Sequence, residues 1–297
     1  MNELSLASFQ DIKIFDGQTL DKALSPSNKM LSNYNFSNLY IWGEIYKSRW
    51  KFYKERLVLY DGADDFISSP IGEPFTPKEL AEISDNFIGQ GKSGRFMFVE
   101  PEYIEKNKDI ADFFSLEIDE DYADYIYKTQ KLVELKGKKL HKKKNLVSQF
   151  LRNNPIYNVN KLEKKYSEEC FKLAEKWCKD RNCEKMGFKH EKSALGRALD
   201  KFDELGLQGL IMFVKDKMIA FSIFSEQNKN TADIHFEKYD SELKGCEQVI
   251  CWESAKYLLP RYEYLNREED LGLEGLRQSK KSYEPEFILK TYKLYRK

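Results

Sequence analysis

The 297 residues are 33% charged and 41% hydrophobic, with 20 Phe, 18 Tyr and 4 Trp, a composition that excludes a disordered chain and, at this length, points to two domains. No apolar run approaches the ~18 residues of a membrane-spanning helix, and the N-terminal MNELSLASFQDIKIF lacks the basic start and apolar stretch of a signal peptide, so no integral membrane segment and a cytoplasmic location are expected. The formal net charge of zero hides an uneven layout: residues 1–130 carry 14 Lys and Arg against 23 Asp and Glu, residues 131–166 carry 11 against 2, and the remainder carries 24 of each.

The first half alternates element types. FSNLYIWGEIYKSRW predicts an aromatic helix, and KFYKERLVLYD and DFISSPIG alternate as strands do. TPKELAEISDNFIGQ opens with Thr, Pro and a Glu three residues after the Thr, the pattern of a capping-box helix start. RFMFVE reads as a strand, PEYIEKNKDIADFF as a helix opening on Pro, and LEIDEDYADYIYKT as a strand with a bend. In the basic stretch TQKLVELKGKKLHKKKNLVSQFLRNNP, Leu140, Val147, Phe150 and Leu151 recur near helical spacing while Lys138, Lys139, Lys142 and Lys143 point elsewhere.

The second half repeats the theme. IYNVNKLE predicts a strand, SEECFKLAEKWCKDR a helix, EKSALGRALDKFDEL a helix stopped at Gly206, and QGLIMFVKDKMIAFSIFSEQN a hairpin around Lys215 to Lys217. TADIHFEKYD, YEYLNRE and the SYEPEFILKTYKLY tail predict strands, with the helix CEQVICWESAKYLLP ending at Pro260. The five cysteines (Cys170, Cys178, Cys183, Cys246, Cys251) contain no C-x-x-C, so buried, reduced thiols are expected rather than a disulfide framework or zinc ribbon.

Among the motifs, GQGKS at 89–93 matches the end of a phosphate-binding loop. The full pattern needs Gly where Asn86 stands, and a helix-closing turn is the expectation. His141, His190 and His235 are too scattered to suggest a metal, and none is expected. His235 shares a strand face with Glu237 by period two, as a catalytic base or as a satisfied strand histidine. In NREEDLGLEGLRQSKKSYEP (266–285), Glu268, Glu269 and Asp270 follow an apolar strand, where α/β folds place binding groups, and could hold a cationic amino group or accept a proton. Acids near the start and bases near the end of a helix would also simply complement its dipole. The lysines of KGKKLHKKKN are in the same way either a phosphate grip or a solvated helix face.

Taken together, LKGKKLHKKKNLVSQF, ADIHFEKYDSELKGCEQVICWESAKYL and YLNREEDLGLEGLRQSKKSYEPEF, with FSNLYIWGEIY and SSPIGEPFT, resemble an uncharacterised bacterial family related to the C-terminal domain of phosphatidylglycerol lysyltransferase. The resemblance implies an α/β (α+β) fold of two tandem GNAT-like domains, each a mixed sheet flanked by helices, as in Fem-type aminoacyltransferases. The expected organisation is an N-terminal domain at 1–130, a basic helical connector at 131–155 and a C-terminal domain at 156–297.

It also implies aminoacyl transfer, with aminoacyl-tRNA as donor and an unknown small-molecule or peptide acceptor, and no metal or redox cofactor. The family's basic block falls on Lys138, Lys139, His141, Lys142, Lys143, Lys144 and Asn145, expected to bind tRNA phosphates. Its acidic block falls on Asn266, Arg267, Glu268, Glu269, Asp270 and Gly272, expected to orient the aminoacyl group or acceptor. His235 or Glu237 is the candidate base and Tyr283 the candidate acid, with Glu268 counted beside them as a candidate catalytic group. The alternatives are an acetyl-CoA-dependent N-acetyltransferase and a non-catalytic nucleic-acid or ligand-binding module. Acyl-CoA is disfavoured because the acetyltransferase signature [QR]-x-x-G-x-[GA] aligns with Glu242 to Glu247, where Gly245 fits but both glutamates would repel a pyrophosphate.

Overall fold

The computed structural model describes residues 4–181 and 188–297. In chain order its first half comprises β1 (Gln10–Asp11), α1 (Gly17–Leu24), α2 (Phe36–Gly43), β2 (Arg49–Tyr53), β3 (Arg56–Asp61), β4 (Phe66–Ser68), α3 (Pro77–Gly89), β5 (Phe96–Val99), α4 (Pro101–Lys106), α5 (Ile110–Phe113) and β6 (Phe114–Lys128). There follow α6 (Thr129–Glu134), α7 (His141–Asn153), β7 (Tyr157–Lys161), α8 (Ser167–Arg181), α9 (Phe188–Asp200), β8 (Gln208–Val214), β9 (Lys217–Asn228), β10 (Thr231–Tyr239), α10 (Cys246–Leu258), β11 (Tyr264–Asn266), α11 (Glu274–Lys281) and β12 (Phe287–Arg296). The architecture is mixed α/β, as the sequence implies.

The chain divides into two compact units. One takes the residues up to Lys29, Asn33–Ala123 and Leu289–Lys297; the other takes Met30–Ser32 and Asp124–Ile288. In the first, β2 pairs antiparallel with β1 and β3, β3 with β4, and β5 with β12, while β4 and β5 run parallel. Its core gathers Val58, Ile67, Phe87, Phe96 and Phe114. The capping box opening α3 forms as predicted: the Thr76 hydroxyl accepts from the Glu79 amide at 3.3 Å, and the Glu79 carboxylate accepts from the Thr76 amide at 3.0 Å. KFYKERLVLYD is a hairpin rather than one strand, turned by Lys54 and Glu55, both at positive φ. PEYIEKNKDIADFF splits into α4 and α5. GQGKS is a turn between α3 and β5, its Ser93 amide donating to Asp65 at 2.9 Å.

In the second unit, β7, β8, β9 and β10 form an antiparallel run, β10 pairs parallel with β11, and β11 pairs antiparallel with β6. A parallel pair needs a crossover, and α10 supplies it. The basic segment lies in this unit as two helices. Val147 and Phe150, each 5% exposed or less, anchor α7 in the core with Val249 and Ile250 of α10, each burial contributing about 2 kcal/mol, and Leu140, just before the helix, is buried as well. The helix before Gly206 already ends at Asp200, with Gly206 closing the following turn at φ 62°. Cys170, Cys178, Cys246 and Cys251 are buried, and burial pushes the thiols of Cys170, Cys246 and Cys251 up to about 12; Cys183 lies outside the described residues. Among the described residues no helix is long and apolar enough to cross a membrane.

Candidate functional site

The second unit gathers an unusual number of buried ionisable groups around β10 and the loop that follows β11. On β10, Asp233, His235 and Glu237 alternate, and a register shift against β9 between Ile234 and Phe236 falls at His235. Such a bulge re-aims a side chain at the sheet surface. Asp233 stands opposite Asn266, the last residue of β11. The chain then curls instead of entering a helix: Glu268 and Leu271 adopt φ of 56° and 53°, and Gly272 follows at 70°. Left-handed non-glycine residues are uncommon, and here the Asn266 side chain holds the turn by accepting from the Glu268 amide at 2.7 Å. Because α11 begins only at Glu274, Glu268 to Asp270 are not the acids of its first turn, and the helix-dipole reading of this stretch does not describe it.

The charges of this loop are held individually. Asp270, fully buried, is gripped by Arg277 through Nε at 2.8 Å and Nη2 at 2.9 Å and accepts from the Tyr125 hydroxyl at 2.6 Å. Burial pushes its carboxyl up, but these partners outweigh that and hold it below the usual range. Arg267 reaches Glu237 at 2.9 Å, and burial raises the Glu237 carboxyl against that attraction. Lys280, 8% exposed, donates to the backbone carbonyls of Arg267, Glu268 and Glu269; burial lowers its ammonium to about 8. Burial, then the neighbouring Asp124 and Glu268, raises Glu269 to about 8. Asn266 donates to Asp124 at 2.7 Å and to the Met30 carbonyl at 2.8 Å, so its amide positions the loop. The Gly272 amide donates to Asp270 at 2.9 Å.

His235 is neutral: burial lowers it to about 3. Its Nδ1 lies 3.1 Å from Glu268 Oε1 and its Nε2 lies 2.8 Å from the Ser225 hydroxyl. Among the described residues of this cluster, both carboxylate oxygens of Asp233 and the hydroxyl of Tyr283 are buried without a hydrogen-bond partner. The Tyr283 ring has Lys143 Nζ 4.0 Å and the Arg267 guanidinium 5.0 Å from its centroid, two cation–π contacts on one aromatic.

The basic block divides in two. Lys143 turns inward onto Tyr283, and burial lowers its ammonium. Lys139 is exposed but pairs with Glu284 at 2.9 Å. Lys138, Lys142, Lys144, His141 and Asn145 are exposed, the last two in contact at 3.3 Å. Just below this helix lies the N-terminus of α10, whose preceding residue is Gly245 at φ 86°. A Cβ there would stand 2.4 Å from the backbone carbonyl oxygen of Leu146, so α7 presses its own backbone against the turn that opens α10. Glu247 in the first turn of α10 accepts from Tyr239 at 3.2 Å, and Glu242 pairs with Lys176 at 2.8 Å.

The structure thus brings together His235, Glu237, Glu268, Tyr283, Asn266, Arg267, Asp270 and Gly272, with Lys143 at the edge. The sequence reading passed over Asp233, although D-x-H-x-E on one strand puts it in period with His235 and Glu237. It also passed over Asp124, Tyr125 and Ser225, which carry no local signal.

The fold is of the tandem GNAT-like kind. The chain belongs to the family described as phosphatidylglycerol lysyltransferase, C-terminal, which matches residues 26–295. It is similar to a conserved protein of unknown function from Bacteroides thetaiotaomicron, 32% identical, covering 98% of this chain and 99% of that one with a TM-score of 0.90. The fold is also that of L-PGS from Bacillus licheniformis (12% identity, 97% and 93% of the chains, TM-score 0.65) and of FemX (9%, 98% and 97%, TM-score 0.58).

Proposed function

We propose that this protein transfers an aminoacyl group from a charged tRNA to a small-molecule or peptide acceptor, using the second unit. The observation that carries the choice is the contact of Gly245 with the Leu146 carbonyl. An acyl-CoA enzyme of this fold needs the backbone N–H groups opening α10 to cradle a pyrophosphate. Here a helix backbone lies close against Gly245, beside an acid in the first turn of α10, which disfavours a pyrophosphate there, while Lys138, before that helix, and Lys142, on it, are exposed where a polyanion can meet them. In this reading Lys138, Lys142, His141 and Asn145 bind tRNA phosphates, and Lys139 joins them by leaving Glu284.

The reaction joins a neutral acceptor nucleophile to the ester carbonyl of the aminoacyl group. The C–O bond to the tRNA ribose breaks, and the proton lost by the nucleophile ends on the ribose oxygen. Glu268, whose side chain is 16% exposed, is the carboxylate proposed to meet the cationic amino group. Asn266, Gly272 and the Asp270–Arg277 pair fix the loop that carries it. His235, neutral at pH 7, and Glu237, held by Arg267, are the candidate proton acceptors, and the Tyr283 hydroxyl the candidate donor.

Binding of bulk charged tRNA, followed by anisotropy across a salt series, tests the donor. The expected result is salt-dependent binding whose slope of log K against log salt falls by roughly 0.7–0.9 for each of Lys138→Ala and Lys142→Ala. Release of labelled amino acid from the tRNA onto an acceptor mixture, lost in Glu268→Gln, tests the transfer. Absence of tRNA binding, or a thermal shift with coenzyme A matching that with tRNA, overturns the proposal; binding without transfer leaves a binding module.

A further inference from the structure

Strand β10 and the loop after β11 place three donors of a metal-binding kind around one point: an Asp233 carboxylate oxygen, His235 Nδ1 and a Glu268 carboxylate oxygen, all within 4.8 Å of one another. His235 Nδ1 lies 3.1 Å from Glu268 Oε1 and 3.8 Å from Asp233 Oδ2. Donors bonded at about 2.0–2.2 Å to one ion stand roughly 3–4 Å apart, so small side-chain adjustments complete the geometry.

A second observation is independent of this clustering. Asp233 is fully buried, and neither of its oxygens has a hydrogen-bond partner. Its neighbours are provided for: Asp124 accepts from the Ser32 amide at 2.6 Å and from Asn266 at 2.7 Å, and Lys280 directs its N–H groups to three backbone carbonyls. A buried carboxylate left without partners marks a place where an ion or ligand completes the structure. The far side of the imidazole is also prepared. With Nε2–H donating to Ser225 Oγ, 2.8 Å away, the Nδ1 lone pair faces the two carboxylates, as in metal sites whose ligand histidine is oriented by an outer hydrogen bond.

We infer that Asp233, His235 and Glu268 form a site for one divalent first-row transition-metal ion. The imidazole selects against Mg2+ and Ca2+, which take oxygen donors, and the absence of thiolate selects against soft ions. Three protein donors leave a coordination position for water or a substrate atom. The histidine spacing concealed the site because two of its donors are carboxylates, one of them 33 residues from His235. The site shares His235 and Glu268 with the proposed transfer activity, but ion binding is read without that activity, so either reading can fail alone.

The test is titration of the chelator-stripped full chain with Co2+, read by calorimetry and visible absorption. One equivalent is expected, with d–d bands and no thiolate charge-transfer band. Asp233→Asn and His235→Gln should each weaken binding at least about 100-fold, and Ser225→Ala about 10-fold. Should either ligand variant fail to fold, pulsed EPR of the Cu2+-loaded wild-type chain decides, one coupled imidazole nitrogen being expected. No stoichiometric binding, a thiolate band, no nitrogen coupling, or unchanged affinity in Asp233→Asn overturns the inference.

Discussion

The two units contain the same construction made from opposite materials. In the first, β4 and β5 run parallel, joined through α3, with Ile67 opposite Phe96 and Ser68 opposite Met97, and every residue of both strands is buried. In the second, β10 and β11 run parallel, joined through α10, with Ala232 opposite Leu265 and Asp233 opposite Asn266. Around the first pair pack rings such as Phe66 and Phe98, 5.6 Å apart at their centroids; around the second stand Asp233, His235, Glu237 and the 266–270 loop. A strand–helix–strand unit of this kind therefore closes with no charged side chain in either of its parallel strands. Burying carboxylates there costs desolvation that the sheet does not require, so the charges of the second unit point to chemistry or binding. At the other extreme from these buried charges stands Lys106–Glu102 of the first unit, with side chains 71% and 75% exposed, which contributes little.

Four variants can break or sharpen this contrast. The largest effect is expected from Asp270→Ala, which strands Arg277 and the Tyr125 hydroxyl; urea unfolding should show a loss of about 3–5 kcal/mol. A loss below about 1 kcal/mol would mean the buried charges are not structurally coupled. Gly245→Ala comes next, since its Cβ meets the Leu146 carbonyl at positive φ, and should cost roughly 2–4 kcal/mol.

Asp61, at the end of β3, is a buried carboxylate of the first unit, raised by burial to about 6 from 3.8. The folded state holds its proton more tightly than the unfolded chain between those values, so stability falls as pH rises through that window. Asp61→Asn keeps an acceptor for the Ala63 and Asp64 amides. It should leave stability unchanged below pH 3.8 and raise it by ~2 kcal/mol above pH 6, measured by thermal melts across pH. Lys106→Ala should leave the thermal midpoint unchanged within error, since the pair it breaks is solvent-exposed.

Much of this fold is written locally. Thr76, Pro77 and Glu79 announce the start of α3, and the spacing of Leu140, Val147 and Phe150 announces the inner face of α7, because capping and periodicity act over a few residues. The KFYKERLVLYD hairpin stayed hidden because its turn uses Lys54 and Glu55 at positive φ, a task usually marked by Gly or Asn. The acidic loop was visible as an anomaly, but its partners were not: Asp124 and the Met30 carbonyl meet Asn266 from remote parts of the chain, and only tertiary structure brings them there. Asp233 was legible by strand period, yet its lack of partners is a property of the packed interior.

The contact between α7 and the turn before α10 has a consequence for how such a protein could change its chemistry. Restoring glutamine or glycine to the Glu242–Glu247 turn would not recreate a nucleotide cradle, because the obstruction is main chain and no side-chain exchange removes it. Reaching that cofactor would take excision or swinging away of the whole basic helix, and with it Phe150 and Val147 from the core. On the proposed reading, moving between the two donors would take rearrangement of a segment rather than single substitutions.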